Sequence, residues 1–277
     1  MPDLFIGVIS YSGTRFADSQ GPDGLALSLA KAMTAVGVQT DVLINTDDLY
    51  SPELLTITRE VSLASITAQV NLDRKWANFL GIKKKSKWWR DHGLRWGKRL
   101  SLSANPPSPS SVQRLLNIEL SHLQIMRASL DSGAEWILIL EDDAAAADIL
   151  DLTRGLTGIM ESVPPPDYVN ISRSFSPSRL GISHLMNPVV GQRWQGALNR
   201  ILFSASKPVT NTVCAILYHR DFLSLLLTKL DELPLEPVVP IDWKLNVALM
   251  ELFQEGAIRP GSCWVIEPAP VLQRSMT

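Results

Sequence analysis

The feature that most constrains the fold is the run Trp-Ile-Leu-Ile-Leu at residues 136–140, which leads directly into Glu141, Asp142 and Asp143. Five consecutive large apolar residues, followed at once by charge, predict a strand that is buried on both faces. In open α/β sheets, ligands bind beyond the carboxyl ends of such strands. We therefore expect the three acids at the edge of the sheet where a ligand would bind.

Other strand and helix patterns alternate along the chain, which is typical of an α/β fold. Further strands are predicted at 4–10, 38–44, 168–171, 212–218 and 263–266, and helices at 22–36, 51–82, 112–130, 148–162, 221–230 and from 241 onwards. Residues 172–209 are predicted to be irregular. We expect one α/β domain over residues 1–277, with a mixed, mostly parallel sheet flanked by helices and an insertion at about 82–111.

The three adjacent acids allow two interpretations. Neighbouring carboxylates repel one another unless a cation or a solvated turn relieves them, and Mg²⁺ and Mn²⁺ prefer oxygen ligands and often bridge to phosphates. The end of this strand, at Glu141, Asp142 and Asp143, is therefore a candidate binding site for a metal ion and a diphosphate. The alternative is a solvated turn at the start of the Ala-rich segment that follows, where a helix dipole would favour acids.

Several common site types are absent from the sequence. It contains no GxxxxGK[ST], no GxGxxG after the first strand and no GxSxG, so a diphosphate would be held mainly by metal. The two cysteines, Cys214 and Cys263, form no CxxC pair, which argues against a structural zinc site. Cys214 lies in an apolar run and is interpreted as a small buried hydrophobic residue.

Composition and the N-terminal residues bear on the class of protein. Apolar residues make up 45% of the chain and charged residues 19%, which is typical of a globular protein and not of a disordered one. The first ten residues lack the basic start of a signal peptide, and no apolar run approaches the roughly 18 residues of a membrane span. We expect a cytoplasmic protein that attaches, if at all, to the inner face of the cell membrane.

Residues 119–144, ELSHLQIMRASLDSGAEWILILEDDA, resemble the LPS-type glycosyltransferases of family 25, which include bacterial lipooligosaccharide galactosyltransferases and collagen galactosyltransferases. Three elements of the family pattern occur in order: the pair Ser121-His122, the strand that ends in residues 141–143, and Pro240-Ile241-Asp242 before a helix. The segment 268–275 resembles the closing run of the family. The resemblance is strongest over residues 112–170 and around Asp242, and it is weak over the first hundred residues.

The resemblance implies a GT-A fold, a Rossmann-like sheet that carries an acidic metal motif. It implies transfer of a hexose, galactose or glucose, from a UDP-linked donor to a hydroxyl of a cell-envelope glycan or glycolipid, with inversion. Asp143 and Glu141 would then hold Mn²⁺ or Mg²⁺, and Asp142 would contact the ribose or sugar of the donor. Asp242, beside the possible sugar platform Trp243, would be the catalytic base; its alternative role is that of a helix N-cap.

The remaining site residues are assigned by their position. The expected donor-binding residues are Ser10, Tyr11 and Arg15 after the first strand, Asn45 and Asp47 after the second, and Ser121 and His122 of the family pair. His122 is alternatively a partly buried residue with its hydrogen bonds satisfied. Arg193 and Trp194 join Trp243 as expected acceptor contacts, since long irregular segments often carry function. Gln273 and His219 are candidates for a third metal ligand.

A basic segment, residues 82–100, stands apart from the rest of the chain. It holds eight basic residues and one acid, a net charge of +7, so the remainder carries −9 within the total of −2. Tryptophans 88, 89 and 96 lie among these charges, and tryptophan favours the membrane interface. The pattern predicts contact with an anionic membrane surface, where each base contributes on the order of 1 kcal/mol. A polyanionic acceptor, a nucleic-acid backbone and a solvated face remain alternatives, although the net charge gives no case for nucleic acid.

Two other function classes stay open. A nucleotidyltransferase on a similar fold is disfavoured because no Gly-rich loop with Lys or Arg follows the first strand to hold a nucleoside triphosphate. A non-catalytic protein that binds carbohydrate or membrane on the same fold would retain the acids without turnover.

The membrane prediction can be tested by charge reversal. Changing Lys83, Lys84, Lys85 and Lys87 to Glu should abolish binding to anionic liposomes, because it turns four attractive charges into repulsive ones. Hydrolysis of the donor should be unaffected. Equal pelleting of variant and wild type with the liposomes would contradict the prediction.

Overall fold

The structure of the chain is a computed structural model that describes residues 3–10, 24–45, 58–83, 90–91, 93, 109–172, 177–196, 199–210 and 213–274. The predictions for Tyr11, Arg15 and Asp47, and those for most of the basic segment, lie outside these residues. Within them the fold is α/β, as the alternating patterns predicted.

Strands and helices alternate over most of the chain. The strands are β1 (Leu4–Ile9), β2 (Thr40–Asn45), β3 (Trp136–Glu141), β4 (Ala144–Ala146), β5 (Tyr168–Asn170), β6 (Met186–Pro188), β7 (Ile201–Ala205), β8 (Ala215–His219), β9 (Cys263–Glu267) and β10 (Val271–Gln273). The α-helices are α1 (Leu25–Ala35), α2 (Arg59–Phe79), α3 (Pro109–Ser132), α4 (Ile149–Met160), α5 (Pro177–Leu180), α6 (Arg220–Glu232) and α7 (Ile241–Gln254), with a 3₁₀ turn at Ser183–Leu185.

The central sheet has eight strands in the order β2-β1-β3-β8-β5-β9-β7-β6, and β4 pairs with β10 in a separate antiparallel ladder. Helices cover both faces. The side chains of Leu138 and Leu140 pack in one apolar cluster with α1 and α4. Those of Ile137 and Ile139 pack in another with α2, α3, α6 and α7. Burial on both faces explains why β3 is apolar at every position from 136 to 140 instead of alternating.

The sheet is mixed, and the expected predominance of parallel pairing is not found. Among the described strands, β1 pairs in parallel with β2 and β3, and β5 with β9. The four pairs β3–β8, β8–β5, β9–β7 and β7–β6 are antiparallel. The reason is that β8 and β7 run against their neighbours, and an apolar run has the same composition in either direction.

Residues 172–209 were predicted to be irregular, but they contribute two strands. β6 and β7 form an antiparallel pair, and β7 pairs with β9 at the end of the sheet opposite β2. The apolar residues of β7 are not all buried, since Ile201 at its start is 53% exposed. The strand therefore lacks a regular pattern of burial. A strand near the rim of a sheet needs fewer apolar residues than a central one, so it carries a weaker signal in the sequence.

None of the helices in the described part of the chain combines the length and the apolar character that a membrane crossing requires.

Helix α3 lies unusually close to β1, and Gly7 allows this approach. A Cβ atom placed on Gly7 would be 2.3 Å from Cγ2 of Ile125, a fully buried side chain of α3. Real Cβ atoms essentially never approach so closely, and Ile125 is surrounded by core. His122 lies one helical turn before Ile125, so the same close contact fixes the height of His122 over the sheet.

Replacing Gly7 by Ala should destabilise the fold by about 1–3 kcal/mol, as overpacking of a dense core does. Urea unfolding measures the change. Gly93→Ala is the matched control, because a Cβ there would meet no atom within 4 Å. In an Ile125→Ala background the same Gly7→Ala change should cost less, since the added methyl then enters a cavity. Equal costs in the two backgrounds would contradict the packing explanation.

Candidate functional site

The parallel strands β1, β2 and β3 end at the same level, and this brings three predicted residues together. Ile9 of β1 is in register with Asn45 on one side and with Glu141 on the other. The next residue, Ser10, donates its backbone N–H to the carbonyl oxygen of Asn45 at 2.9 Å. Ser10 and Asn45 are both buried. The side chain of Asn45 donates to Oε1 of Gln124 on α3 at 2.9 Å, which orients its amide.

Asp142 and Asp143 form the turn between β3 and β4, so they do not start a helix. The Ala-rich residues after them are strand β4, which pairs with β10. Helix α4 begins later and is capped by Asp148, whose side chain accepts from the N–H groups of Leu150 and Asp151. The alternative interpretation of the acids as partners of a helix dipole is therefore wrong. The turn, Glu141–Asp143, is called the acidic turn below.

Two features hold the acidic turn in place. The carbonyl oxygen of Asp143 accepts the backbone N–H of Arg274 at 3.0 Å, which extends the β4–β10 ladder. The side chain of Gln273 donates to Oε2 of Glu141 at 3.3 Å. The carboxylate of Asp143 is buried at 5% exposure, whereas the side chain of Glu141 keeps 19%. Of these two carboxylates, that of Asp143 is therefore buried and that of Glu141 is partly exposed.

A third potential ligand, Cys214, joins the two acids from the residue just before β8. Carboxylate oxygens of Glu141 and Asp143 and the sulfur of Cys214 all lie within 4.8 Å of one another. The thiol of Cys214 donates to Oδ1 of Asp143 at 3.8 Å. Burial, and then the charges of Glu141 and Asp143, raise the pKa of the Cys214 thiol far above its usual range. We call these three residues the ligand cluster.

Cys214 is the site residue that the sequence interpretation missed. Its apolar surroundings are real, since it is fully buried, but it precedes an antiparallel strand whose start lies beside the end of β3. Cys214 lies here because β8 is antiparallel to β3. The sequence pattern does not indicate the direction of a strand. The only signal in the sequence was a cysteine near the start of a predicted strand.

The two residues proposed as third metal ligands are placed differently. Gln273 contacts Glu141 directly and so borders the ligand cluster. His219 is paired with Trp136, the first residue of β3, five residues from Glu141 and so roughly 16 Å away along the strand. Its Nδ1 accepts the N–H of Asp221 and caps helix α6. His219 therefore belongs to the opposite edge of the sheet.

His122 approaches the acidic turn from α3. Its side chain is 1% exposed, and its Nε2 lies 3.7 Å from Oε1 of Glu141. Neither ring nitrogen has a hydrogen-bond partner within the part of the chain that the structure describes. Among the described residues, the alternative role of a partly buried histidine with satisfied hydrogen bonds is therefore not found, and an unpaired buried polar group costs about 1–3 kcal/mol. Ser121, the other member of the pair, is also buried on α3.

Asp242 lies in the first turn of α7 and is partly buried. The N-cap of this helix is Pro240, and the structure records no side-chain hydrogen bond at that cap, so Asp242 is not the N-cap. Two residues later, Lys244 forms a buried ion pair with Glu119 on α3. Glu119 is one helical turn from His122, so the start of α7 lies against the part of α3 that faces the acidic turn.

The three residues expected to contact the acceptor have different surroundings. Trp243 follows Asp242 on α7 and is partly buried, and Arg193 is exposed. Trp194 is 6% exposed, and its ring occupies the space beside Gly155 of α4 where a Cβ would lie. Its Nε1 donates to Oδ1 of Asp151 at 3.1 Å. Trp194 is thus a packing residue between α4 and the loop before β7, and the structure does not bring it to the ligand cluster.

The comparisons with known proteins add nothing to these observations. No family model matches the chain, and no curated protein matches it. The resemblance to the family 25 glycosyltransferases therefore rests on the motif residues of the chain.

Proposed function

We propose that the chain is a metal-dependent glycosyltransferase. It would move a hexose, galactose or glucose, from a UDP-linked donor to a hydroxyl of a cell-envelope glycan or glycolipid, with inversion at the anomeric carbon. The observation that carries the proposal is the ligand cluster at the carboxyl edge of the sheet, beside Ser10 and Asn45. The proposal includes a GT-A-like arrangement of the Rossmann type, which the three parallel strands β2, β1 and β3 support.

The residues present fit a divalent cation such as Mn²⁺ or Mg²⁺. Two carboxylates lie close together with one of them buried, and the chemistry of this donor set favours a cation. When bound, the ion would supply positive charge against the negative charge that develops on the diphosphate leaving group. Asp143 and Glu141 would hold it, and Asp142 in the same turn would contact the donor ribose or sugar.

The ends of β1 and β2 would hold the nucleoside. Ligands of α/β sheets bind beyond the carboxyl ends of parallel strands, and Ser10 and Asn45 occupy these ends next to Glu141. Gln124 fixes the orientation of the Asn45 side chain. A nucleotide that spans from these residues to the acidic turn would place its diphosphate at the ligand cluster.

Inversion requires one displacement at the anomeric carbon. The acceptor oxygen forms the new bond to this carbon while the bond to the diphosphate oxygen breaks and UDP leaves with both electrons. The proton of the acceptor hydroxyl passes to a base, for which Asp242 is the candidate. Its position at the start of α7, held against α3 by Lys244 and Glu119, supports this role. Trp243 beside it would offer an apolar face to the acceptor sugar.

An acceptor in the cell envelope would suit contact between the basic segment and an anionic membrane surface. This contact forms part of the proposal and rests on the sequence alone, since most of the segment lies outside the described residues. No nucleic-acid partner is proposed.

The donor site is tested by thermal stability with nucleotide sugars. UDP or a UDP-sugar at about 100 times its Kd should stabilise the wild type by roughly 2.7 kcal/mol in the presence of Mn²⁺. For a chain of this size this corresponds to a rise in Tm of several degrees. The rise should require Mn²⁺ or Mg²⁺ and should be lost in Asp143→Asn, which removes a charged ligand.

Asp148→Asn is the matched control, because it makes the same chemical change five residues away at a helix N-cap, where Asn serves as well as Asp. It should retain the full Mn²⁺-dependent shift. A wild type that responds to no nucleotide sugar would overturn the proposal and favour a binding protein without turnover. A shift with UTP alone would favour a nucleotidyltransferase.

The catalytic base is tested separately. Asp242→Asn should reduce sugar transfer by about 10²–10⁴-fold, the usual contribution of general base catalysis. Mn²⁺-dependent binding of UDP should remain at the level of the wild type. Asp221→Asn is the control, because Asp221 is likewise the second residue of its helix but lies at the opposite edge of the sheet. Transfer by Asp242→Asn within a few fold of the wild type would exclude this role.

A further inference from the structure

The pairing of β3 with β8 brings Cys214 next to Glu141. Leu140 and Ala215 are paired in the antiparallel β3–β8 ladder, and the backbone N–H of Glu141 donates to the carbonyl oxygen of Cys214 at 2.9 Å. Cys214 directly precedes β8, so its backbone adjoins Glu141. Its sulfur and the carboxylate oxygens of Glu141 and Asp143 all lie within 4.8 Å of one another.

The distances within the ligand cluster suit a common ion. Metal–sulfur bonds of about 2.3 Å and metal–oxygen bonds of about 2.1 Å at a tetrahedral angle separate sulfur from oxygen by roughly 3.6 Å. The sulfur of Cys214 lies 3.8 Å from Oδ1 of Asp143. A small adjustment of these side chains would thus place one ion within bonding distance of both, with Glu141 on its more exposed side.

His122 is an independent indication that Glu141 has a ligand. It is buried, neither ring nitrogen is hydrogen-bonded among the described residues, and Nε2 lies 3.7 Å from Oε1 of Glu141. Carboxylates that bind metals are themselves held by hydrogen bonds from neighbouring groups. A shift of Glu141 by less than an ångström towards His122 would complete such a bond, while Gln273 holds the other oxygen.

We propose that Cys214 is the third protein ligand of the metal centre and that its sulfur makes the centre prefer Co²⁺, Zn²⁺ and Mn²⁺ to Mg²⁺. The inference rests on the metal site of the proposed function and adds a ligand of a different chemical kind. Thiolates suit softer ions, whereas Mg²⁺ requires oxygen ligands in near-octahedral geometry. As the sulfur–metal bond forms, the S–H bond breaks and the proton passes to solvent.

Absorption spectroscopy with Co²⁺ tests this in the full chain without any donor. The wild type should bind Co²⁺ and show a thiolate-to-Co²⁺ charge-transfer band in the near ultraviolet. Cys263→Ala is the matched control, since the chain has two cysteines and Cys263 lies at the amino end of β9, away from the cluster. The band should persist in Cys263→Ala, where Cys214 is the only remaining thiol.

Cys214→Ser should lose the band while calorimetry still detects Co²⁺. Loss of an outer partner alone weakens metal sites about 10–100-fold, so loss of a direct ligand should weaken Co²⁺ binding at least tenfold. The affinity for Mg²⁺ should change much less, so the preference of the site for Co²⁺ over Mg²⁺ should become smaller. The spectra of wild type and Cys263→Ala decide the question even where Cys214→Ser does not fold.

The outcomes separate the two proposals. Co²⁺ binding without a charge-transfer band would overturn the role of Cys214 and leave the metal site of the proposed function standing. A band that is retained in Cys214→Ser and lost in Cys263→Ala would overturn it as well. No binding of Co²⁺, Mn²⁺ or Mg²⁺ would overturn both.

Discussion

The candidate site depends on the antiparallel pairing of β8 with β3. The three parallel strands β2, β1 and β3 would by themselves bring only Ser10, Asn45 and the acidic turn to one edge. Because β8 runs the other way, its first residue lies beside the last residues of β3. That reversal places Cys214 next to two carboxylates and sends His219 to the far edge of the sheet.

Much of this architecture follows from local patterns, and the rest does not. The run at 136–140 predicted a central buried strand followed by acids at a ligand-binding edge, and β3 has this position. The directions of β7 and β8 could not be predicted, because the residues of an apolar strand do not indicate whether it will pair in parallel or antiparallel. The three alanines after the acidic turn illustrate a second limit. Alanine favours helices, but pairing with β10 determines the conformation of Ala144–Ala146.

The site residues show the same division. Ser10, Asn45, His122 and Glu141 were predicted from their positions at strand ends or in the motif, and contacts join Ser10 to Asn45 and His122 to Glu141. Trp194 was predicted to contact the acceptor only because it is an aromatic residue in a segment expected to be irregular. Its indole instead lies against Gly155, with its N–H on the buried carboxylate of Asp151, to which Arg200 also donates at 2.9 Å. An aromatic side chain suits both a packed core and a binding surface, and only its neighbours in the structure distinguish the two.

The buried ion pair of Lys244 and Glu119 holds helix α7, which carries Asp242, against α3. Burial raises the pKa of Glu119, and the charge of Lys244 opposes that shift. Lys244 also donates to the carbonyl oxygens of Pro234 and Leu235, at 3.0 and 3.3 Å. A buried pair of this kind contributes little net stability, because desolvation offsets the attraction. Its effect is positional, since each charge needs the other and α7 cannot slide along α3 without separating them.

The electrostatics of the ligand cluster and the cation affinity that we propose for it would have one origin. The negative charges of Glu141 and Asp143 raise the pKa of the Cys214 thiol because they disfavour a third negative charge beside them. The same negative charges, in a site where Asp143 and Cys214 are buried, would attract a cation more strongly than they would in water. A divalent ion at the proposed site would favour the thiolate instead, since a coordinated thiol is deprotonated outright. The Cys214 thiol would thus become a ligand when an ion binds, while Gln273 donates to Oε2 of Glu141 and His122 lies 3.7 Å from Oε1.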